Sequence, residues 1–485
     1  MKVAHLGSKE QTTVLFTMEP PVRTETMTSM HRLFSTFISL ASALALLLAT
    51  WPQPVSARGG NLPLIRDAEI EELMRIYTTP VFRAAGLNPR AVRVHLIRDQ
   101  RINAFVADGQ RIFINTGLLT KSKTPNEVIG VLAHETAHIA GGHLARMGIE
   151  MRRLSTLAII STLLAAGAMA GGAAAGSSGA VKGGRAIMLG SQSMLQRQFL
   201  SYARTQEAAA DQAAVRYLNR THQSGRGMLK LFQKLATQYM ASLRYADPYV
   251  LTHPMPMARI RNLERLVKKS PYYNKPDPAW LVERHRLMQA KLTGFIGGTR
   301  AVYRKYPRSD RSLPARYARA IAAFRIGDLR GAMPLIDGLI REKPKYPYFW
   351  ELKGQALLEN GRPREAIGPL KKAVQLAPRS GLIRLLLAQA QLATEDRKQA
   401  RAALANLRKA MPQEGGRPML HRLMARAYGL LGNYAMAELE TAEAAIRTGD
   451  RDLAVTKARG AMRRLKKGSP QYLRANDILT LAKRR

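Results

Sequence analysis

Three stretches in the last third of the chain match one another at a fixed offset. FRIGDLRGAMPLIDGLIREKP at 324–344, LENGRPREAIGPLKKAVQLAP at 358–378 and LATEDRKQARAALANLRKAMP at 392–412 are displaced by 34 residues from one to the next. No other feature of the sequence constrains the fold as much. A unit of that length holds two helices and a turn but cannot bury a core alone, so each copy must stack on the next. Trp350, Gly354, Ala366 and Pro378 supply a bulky residue, two small ones where paired helices approach closely, and a helix-ending proline. A looser unit follows, in which Gly432 and Ala437 keep the five-residue gap of Gly327 and Ala332. An α-solenoid is therefore predicted over residues 313–485.

The period is that of tetratricopeptide repeats, which the array resembles. It fills only part of the 485 residues, and a chain of this length is expected to divide into about three units. Ahead of the repeats lies HETAHIAGGH at 134–143. On a helix, residues i and i+4 lie about 40° apart, so His134 and His138 can present imidazole nitrogens to one ion while Glu135 stands beside them. Thr124, Pro125 and Glu127 supply an N-cap, a favoured first helical residue and a capping-box acid for such a helix. A helix is also predicted for EIEELMRIYTTPVFRAAG. A small sheet follows from VRVHLIRDQRINAFVADGQRIFINTGLL, where Asp108 and Gly109 offer a turn between two strands.

A catalytic zinc site usually takes three protein ligands and keeps one position open. If the helix continues, His143 lies about 180° from His134 around the axis and does not reach the ion. Glu207 in RTQEAAAD is the better third ligand, and Asp211, one turn later, is placed to orient a ligating histidine. Residues 195–219 are Ala-rich and free of Gly and Pro, as a helix carrying this pair should be. Between the two motifs, Leu154 to Val181 carries no charge, and its second half is dominated by Ala, Gly and Ser. One unbroken helix is not expected there; a mobile flap packed over a cleft is favoured over a segment dipping into a membrane.

HETAH, ARTQEAAAD, NAFVADGQRIFINTGLL and THPMPMARI together resemble the zinc metallopeptidase family that includes HtpX and the CAAX prenyl endopeptidase. With repeats behind and an export signal ahead, the resemblance is to its periplasmic type concerned with outer-membrane barrel assembly. The resemblance implies a mainly α fold with a small β-sheet: a gluzincin-like HExxH domain followed by the tetratricopeptide solenoid. It implies one Zn2+ on His134, His138 and Glu207, Glu135 as general base, Asp211 behind a ligand, and His253 able to approach the zinc and hold the enzyme shut. An extended substrate would pair with the strand carrying Asn103, Ala104 and Phe105. The implied targets are misassembled or stalled outer-membrane proteins, with the repeats binding substrate or the barrel assembly machinery. A chaperone or adaptor with a latent zinc site is the rival reading. A membrane-embedded prenyl-protein protease needs more spanning helices than the sequence offers.

Export rests on residues 33–51, LFSTFISLASALALLLATW, preceded by Arg32 and followed by PQPVSA, with cleavage expected before Arg58. A retained membrane anchor is the alternative. The polar residues 1–29 are unusual ahead of such a signal, and Met27 or Met30 would give a conventional start. No cysteine occurs, which excludes disulfides and thiolate ligands and suits an oxidising periplasm. Lys and Arg outnumber Asp and Glu by 76 to 34, for a net charge of +42. The cations are spread along the whole chain with no aromatic interleaving, which disfavours nucleic acid and leaves contact with a membrane surface open. The predicted organisation is a signal peptide with a start-site extension at 1–57, the metallopeptidase domain at 58–268, a helical linker at 269–312 and the repeats at 313–485.

Overall fold

A computed structural model describes residues 63–241 and 248–483. The signal peptide, its cleavage point and the start-site extension lie outside the described residues. The described residues from Pro63 onward form one compact unit.

The predicted sheet is present, with four strands: β1 (Leu64–Ile65), β2 (Arg93–Ile97), β3 (Ala104–Ala107) and β4 (Arg111–Asn115), in the order β1-β2-β4-β3. Asp108 and Gly109 both take positive φ in the turn that joins β3 to β4 antiparallel. β4 runs parallel to β2 at the centre and buries four consecutive residues, Ile112 to Asn115, which explains its unbroken apolar run. β3 is left at an edge.

Helix α1 (Ala68–Ala84), a short α2 (Thr116–Lys121) and α3 (Pro125–Ala140) surround the sheet. The core joins Leu73, Tyr77 and Phe82 of α1 to Ile112 and Ile114 of β4 and to Val128 and Leu132 of α3. α3 starts where the sequence places it, but by a different bond. The Thr124 side chain makes no capping contact; the Glu127 carboxylate accepts from the Lys123 backbone N–H at 2.9 Å. From Pro125 to Ala137 every residue of α3 is buried.

Next come α4 (His143–Ala174) and α5 (Ser178–Arg220), two long antiparallel helices joined through Gly176 at φ +66°. The break in the Ala/Gly-rich segment is thus where composition predicts. The expected flap over the cleft is not: only His143, Leu154, Ala165 and Gly172 of α4 are buried, and α5 is largely exposed until Glu207, so the paired stretch stands out from the core that the end of α5 joins. Gly and Ala let the two helices approach closely, so a Cβ on Gly172 would stand 2.6 Å from that of Ala180. Then follow α6 (Arg226–Ala241), α7 (Pro248–Thr252), α8 (Met257–Lys268), α9 (Ala279–Ile296) and α10 (Gly298–Lys305).

Five helix pairs complete the described residues: α11 (Leu313–Arg325) with α12 (Leu329–Glu342), α13 (Pro347–Glu359) with α14 (Pro363–Leu376), α15 (Gly381–Ala393) with α16 (Arg397–Glu414), α17 (Pro418–Leu430) with α18 (Tyr434–Thr448), and α19 (Arg451–Arg464) with α20 (Pro470–Lys483). The first three pairs keep the predicted period; the extra length of α16 accounts for the looser fourth. Gly354 is required at its close approach, since a Cβ there would stand 2.3 Å from Cγ of Leu370.

Candidate metal centre

α3 carries His134 and His138 one turn apart, and α5 crosses it with Glu207 and Asp211 one turn apart. Gly130 permits a third helix, α6, to press in behind: a Cβ there would lie 2.3 Å from Met228 Cβ. Phe232 of α6 then packs edge-on against the His134 ring at 5.7 Å.

Three donor atoms converge. His134 Nε2 is 3.0 Å from His138 Nε2 and 3.3 Å from Glu207 Oε2, and His138 Nε2 is 3.4 Å from Glu207 Oε1. Ligands about 2.0–2.1 Å from a tetrahedral ion stand about 3.3 Å apart, so these residues fit zinc. With His253 they form a group whose donors all lie within 4.8 Å of one another. The chemistry suits the ion as well. Burial and the neighbouring charge on His134 push the His138 imidazole down to about 2. Burial would also lower His134, yet the carboxylates of Asp211 and Glu207 hold its protonated form up to about 9. A cation among these groups replaces that proton, so metal uptake and proton release are coupled.

The outer shell is denser than sequence spacing suggests. Asp211 Oδ1 stands 3.0 Å from Nδ1 of His134, where the sequence places it. Buried Arg259, on α8, forks onto both Asp211 oxygens at 2.7 and 2.8 Å and sets Nη1 2.7 Å from Glu207 Oε2. Sequence reading assigned it no part, because its partners lie about 50 residues away; its only signal was membership of THPMPMARI. His143 needs a correction of a different kind. α3 does not continue through it: the helix ends at Ala140, and Gly142 takes φ +62°. The chain reverses, and His143 Nδ1 comes within 3.0 Å of His138 Nδ1, outside the donor group but against the outer nitrogen of one of its members. Gly141 makes room, since a Cβ there would lie 2.3 Å from His143 Nε2.

Glu135 is fully buried, and burial raises its carboxyl pKa. Oε1 accepts from the Tyr249 hydroxyl at 3.4 Å and lies 3.5 Å from His253 Nε2, whereas Oε2 is buried without a hydrogen-bond partner. A free acceptor beside three metal donors is what a proton-abstracting carboxylate requires. His253 stands over the centre, with Nδ1 3.0 Å from Glu207 Oε1. Of the strand residues, Ala104 and Phe105 lie on edge strand β3, and the carbonyl of Asn103, just before it, accepts from the Asn115 N–H at 2.9 Å. The Tyr249 N–H reaches the Ile102 carbonyl at 3.4 Å, which ties this end of the strand to the centre.

Two histidines and a glutamate around a buried glutamate, set on crossed helices beside a sheet edge, are the groups of a zinc metallopeptidase domain. In comparison with known proteins, residues 66–267 match peptidase family M48, and residues 317–380 and 357–427 match tetratricopeptide repeats, an M48-like domain followed by repeats. It is similar to the beta-barrel assembly-enhancing proteases of Yersinia pestis (24% identical over 68% of this chain and 67% of the relative) and Escherichia coli strain K12 (23% over 69% and 67%). A Vibrio cholerae relative of the same kind is 27% identical over 60% of this chain and 59% of its own. Protease HtpX of Salmonella newport is 27% identical over 41% of this chain and 69% of its own. The chain thus spans about three fifths to two thirds of the barrel-assembly relatives' length.

Proposed function

We propose that this chain is a zinc-dependent endopeptidase of the periplasm that hydrolyses peptide bonds in misassembled outer-membrane proteins. The observation that carries the reading is the convergence of His134, His138 and Glu207 beside the unpartnered Oε2 of buried Glu135. Zinc, when bound by those three residues, supplies Lewis acidity toward a peptide carbonyl and a water. Glu135 takes the proton of the attacking water and delivers it to the leaving amine. Asp211 and His143 hold the two histidine rings by their outer nitrogens, and Arg259 neutralises the buried carboxylates. An extended substrate pairs with the β3 edge at Asn103, Ala104 and Phe105. The division into a domain at 58–268, a linker at 269–312 and repeats at 313–485 belongs to this reading, as do export by the amino-terminal signal and peripheral contact with a membrane.

The name shared by the relatives points to barrel assembly as the setting. The first helices of the repeats already grip this chain's own peptidase domain, so the assembly machinery or its stalled substrates would be held beyond α16. A second reading, a chaperone or adaptor with a latent site, draws on His253, which at 3.0 Å from Glu207 and 3.5 Å from Glu135 covers the donor set. Zinc content and casein cleavage are measured together for the parent chain, Glu135→Gln, Glu207→Ala and His253→Ala. Full zinc with cleavage reduced at least a hundredfold is expected for Glu135→Gln, and loss of both for Glu207→Ala. Faster cleavage by His253→Ala identifies a gated protease. Bound zinc with no cleavage by any variant favours the chaperone, and full cleavage by Glu135→Gln refutes the assigned base.

A further inference from the structure

We infer that the α4–α5 hairpin is a lipid-binding element that inserts into a bilayer bearing anionic headgroups, an inference that does not depend on the protease reading. Its inner face is built for close helix pairing and nothing more. Buried Leu154, Ala165 and Gly172 fall within about 20° of one another around α4, facing α5. On the far side, Leu157, Ile159, Ile160, Leu163 and Leu164 are exposed and spread over an arc of about 160°. Leu189 of α5 is equally exposed, at 63%. An aqueous helix of a monomeric domain does not carry large aliphatic side chains over nearly half of its circumference, so this surface has a partner.

Charge identifies the partner. Between Glu150 and Glu207 the hairpin contains no acidic residue, while Arg152, Arg153, Lys182, Arg185, Arg197 and Arg204 are all exposed. Ala180 packs at Gly172, and Met169 and Ala165 pack at Gly184. Continuing that antiparallel register sets Arg197 level with Arg152 and Arg153, and leaves Lys182 and Arg185 near the turn. Cations therefore bound an uncharged band from both ends, about 18 Å along α5 between Arg185 and Arg197. Long side chains reach further outward to phosphates, as basic residues do at the two edges of a hydrocarbon layer. A protein groove would call for charged or free hydrogen-bonding groups on the band itself, whereas between Leu154 and Val181 no charge occurs and the Ser161 and Thr162 hydroxyls both donate to the Ala158 carbonyl of their own helix.

The hairpin is also rooted in the metal centre on both arms. α4 begins at His143, against the outer nitrogen of His138, and Glu207 lies on α5. Arg153 is ten residues from His143, so headgroups at its level lie about 15 Å from the centre. Substrate at a membrane surface would be within reach.

The test uses the zinc-loaded chain from Arg58 onward, which contains the whole unit Pro63–Arg485 and lacks the apolar 33–51 segment that would bind lipid by itself. Because there is no cysteine, a Leu163→Cys variant takes one environment-sensitive fluorophore at one place. With vesicles of phosphatidylcholine containing about a third phosphatidylglycerol, the label is expected to shift to the blue and brighten severalfold, and to be quenched by brominated acyl chains. The same label at exposed Tyr434→Cys should not respond. Flotation of unlabelled protein with those vesicles should fall at least tenfold in Leu163→Ser/Leu164→Ser, which keeps casein cleavage. Flotation unchanged in that double variant would mean surface charge alone binds the vesicles and would overturn the inference. So would a label at 163 that ignores vesicles, or one that shifts with protein concentration in their absence, which would mark a contact between copies.

Discussion

At the scale of single residues, the centre is held by groups that differ in how they act on the ion. His143 touches only the outer nitrogen of His138, so His143→Ala is expected to weaken zinc about 10- to 100-fold while leaving one ion per chain at saturation; competition with a chelator measures this. Arg259 faces two carboxylates. Removing it leaves Asp211 and Glu207 buried without their counter-charge, so Arg259→Met is expected to cost about 3–5 kcal/mol in the metal-free protein, read from urea denaturation, and less when zinc is bound. His134, Glu135 and His138 were legible in the sequence because their geometry is local: five residues on one helix fix it. Glu207 and Asp211 were legible as a helical pair, and the meeting of that pair with α3 was inferred from its placement after the HExxH motif and the need for a third ligand. Arg259 and Tyr249 were not legible, since a side chain's partner across a fold leaves no mark on its neighbours in sequence. His143 was misplaced for a single reason: a left-handed Gly142 turned the chain where a continuing helix was assumed.

At the scale of elements, the repeats offer an internal comparison. Gly327, Gly361 and Gly432 end the first helices of their units with φ of 80°, 74° and 78°, and the equivalent position of the third unit is Glu395 at φ 57°. A residue with a Cβ is strained in that region, and the exposed ion pair Glu395 makes with Arg426 at 3.5 Å offsets little of it. Glu395→Gly is expected to stabilise the protein by about 0.5–1 kcal/mol, and Gly361→Ala to destabilise it by about 1 kcal/mol or more; midpoints of urea denaturation decide both. The same comparison shows what periodicity conveys and omits. It placed α11 to α16 because close-packed pairs need small residues at fixed intervals. It said nothing of where the stack would touch the rest of the chain.

At the scale of the whole molecule, that contact is a buried charge network. Lys291 of α9 lies 2.8 Å from Asp67, 3.4 Å from Glu69 and 3.5 Å from Glu351 of α13, and the hydroxyls of Tyr317 and Tyr346 donate to Glu69 at 2.8 and 2.6 Å. Arg66 reaches Glu414 at the end of α16, at 2.9 Å. Three carboxylates share one lysine, so Glu351, desolvated by burial and repelled by Asp67 and Glu69, is pushed up to about 7. Its folded-state value lies above the ordinary one, so the stability it contributes is complete below about pH 4.5 and lost as pH rises through 7. Melting temperatures should therefore fall between pH 5 and 8 in the parent chain and fall less in Glu351→Gln; an equal slope in both would place the titration elsewhere. Lys291→Met should cost about 3–5 kcal/mol at pH 8 and less at pH 5, where protonation of Glu351 removes one of the unpaired charges. By itself the sequence determined which elements form and which chemistry they carry: a strand pair at Asp108–Gly109, the HExxH helix, the repeat period and an uncharged Ala/Gly segment. These are set by interactions within a turn or two of chain. Only the tertiary structure decided that Arg259 and His143 brace the centre, that the Ala/Gly segment stands out as a hairpin, and that the repeats close on residues 66–69. Those outcomes depend on which distant surfaces meet, and burial rather than local propensity selects them.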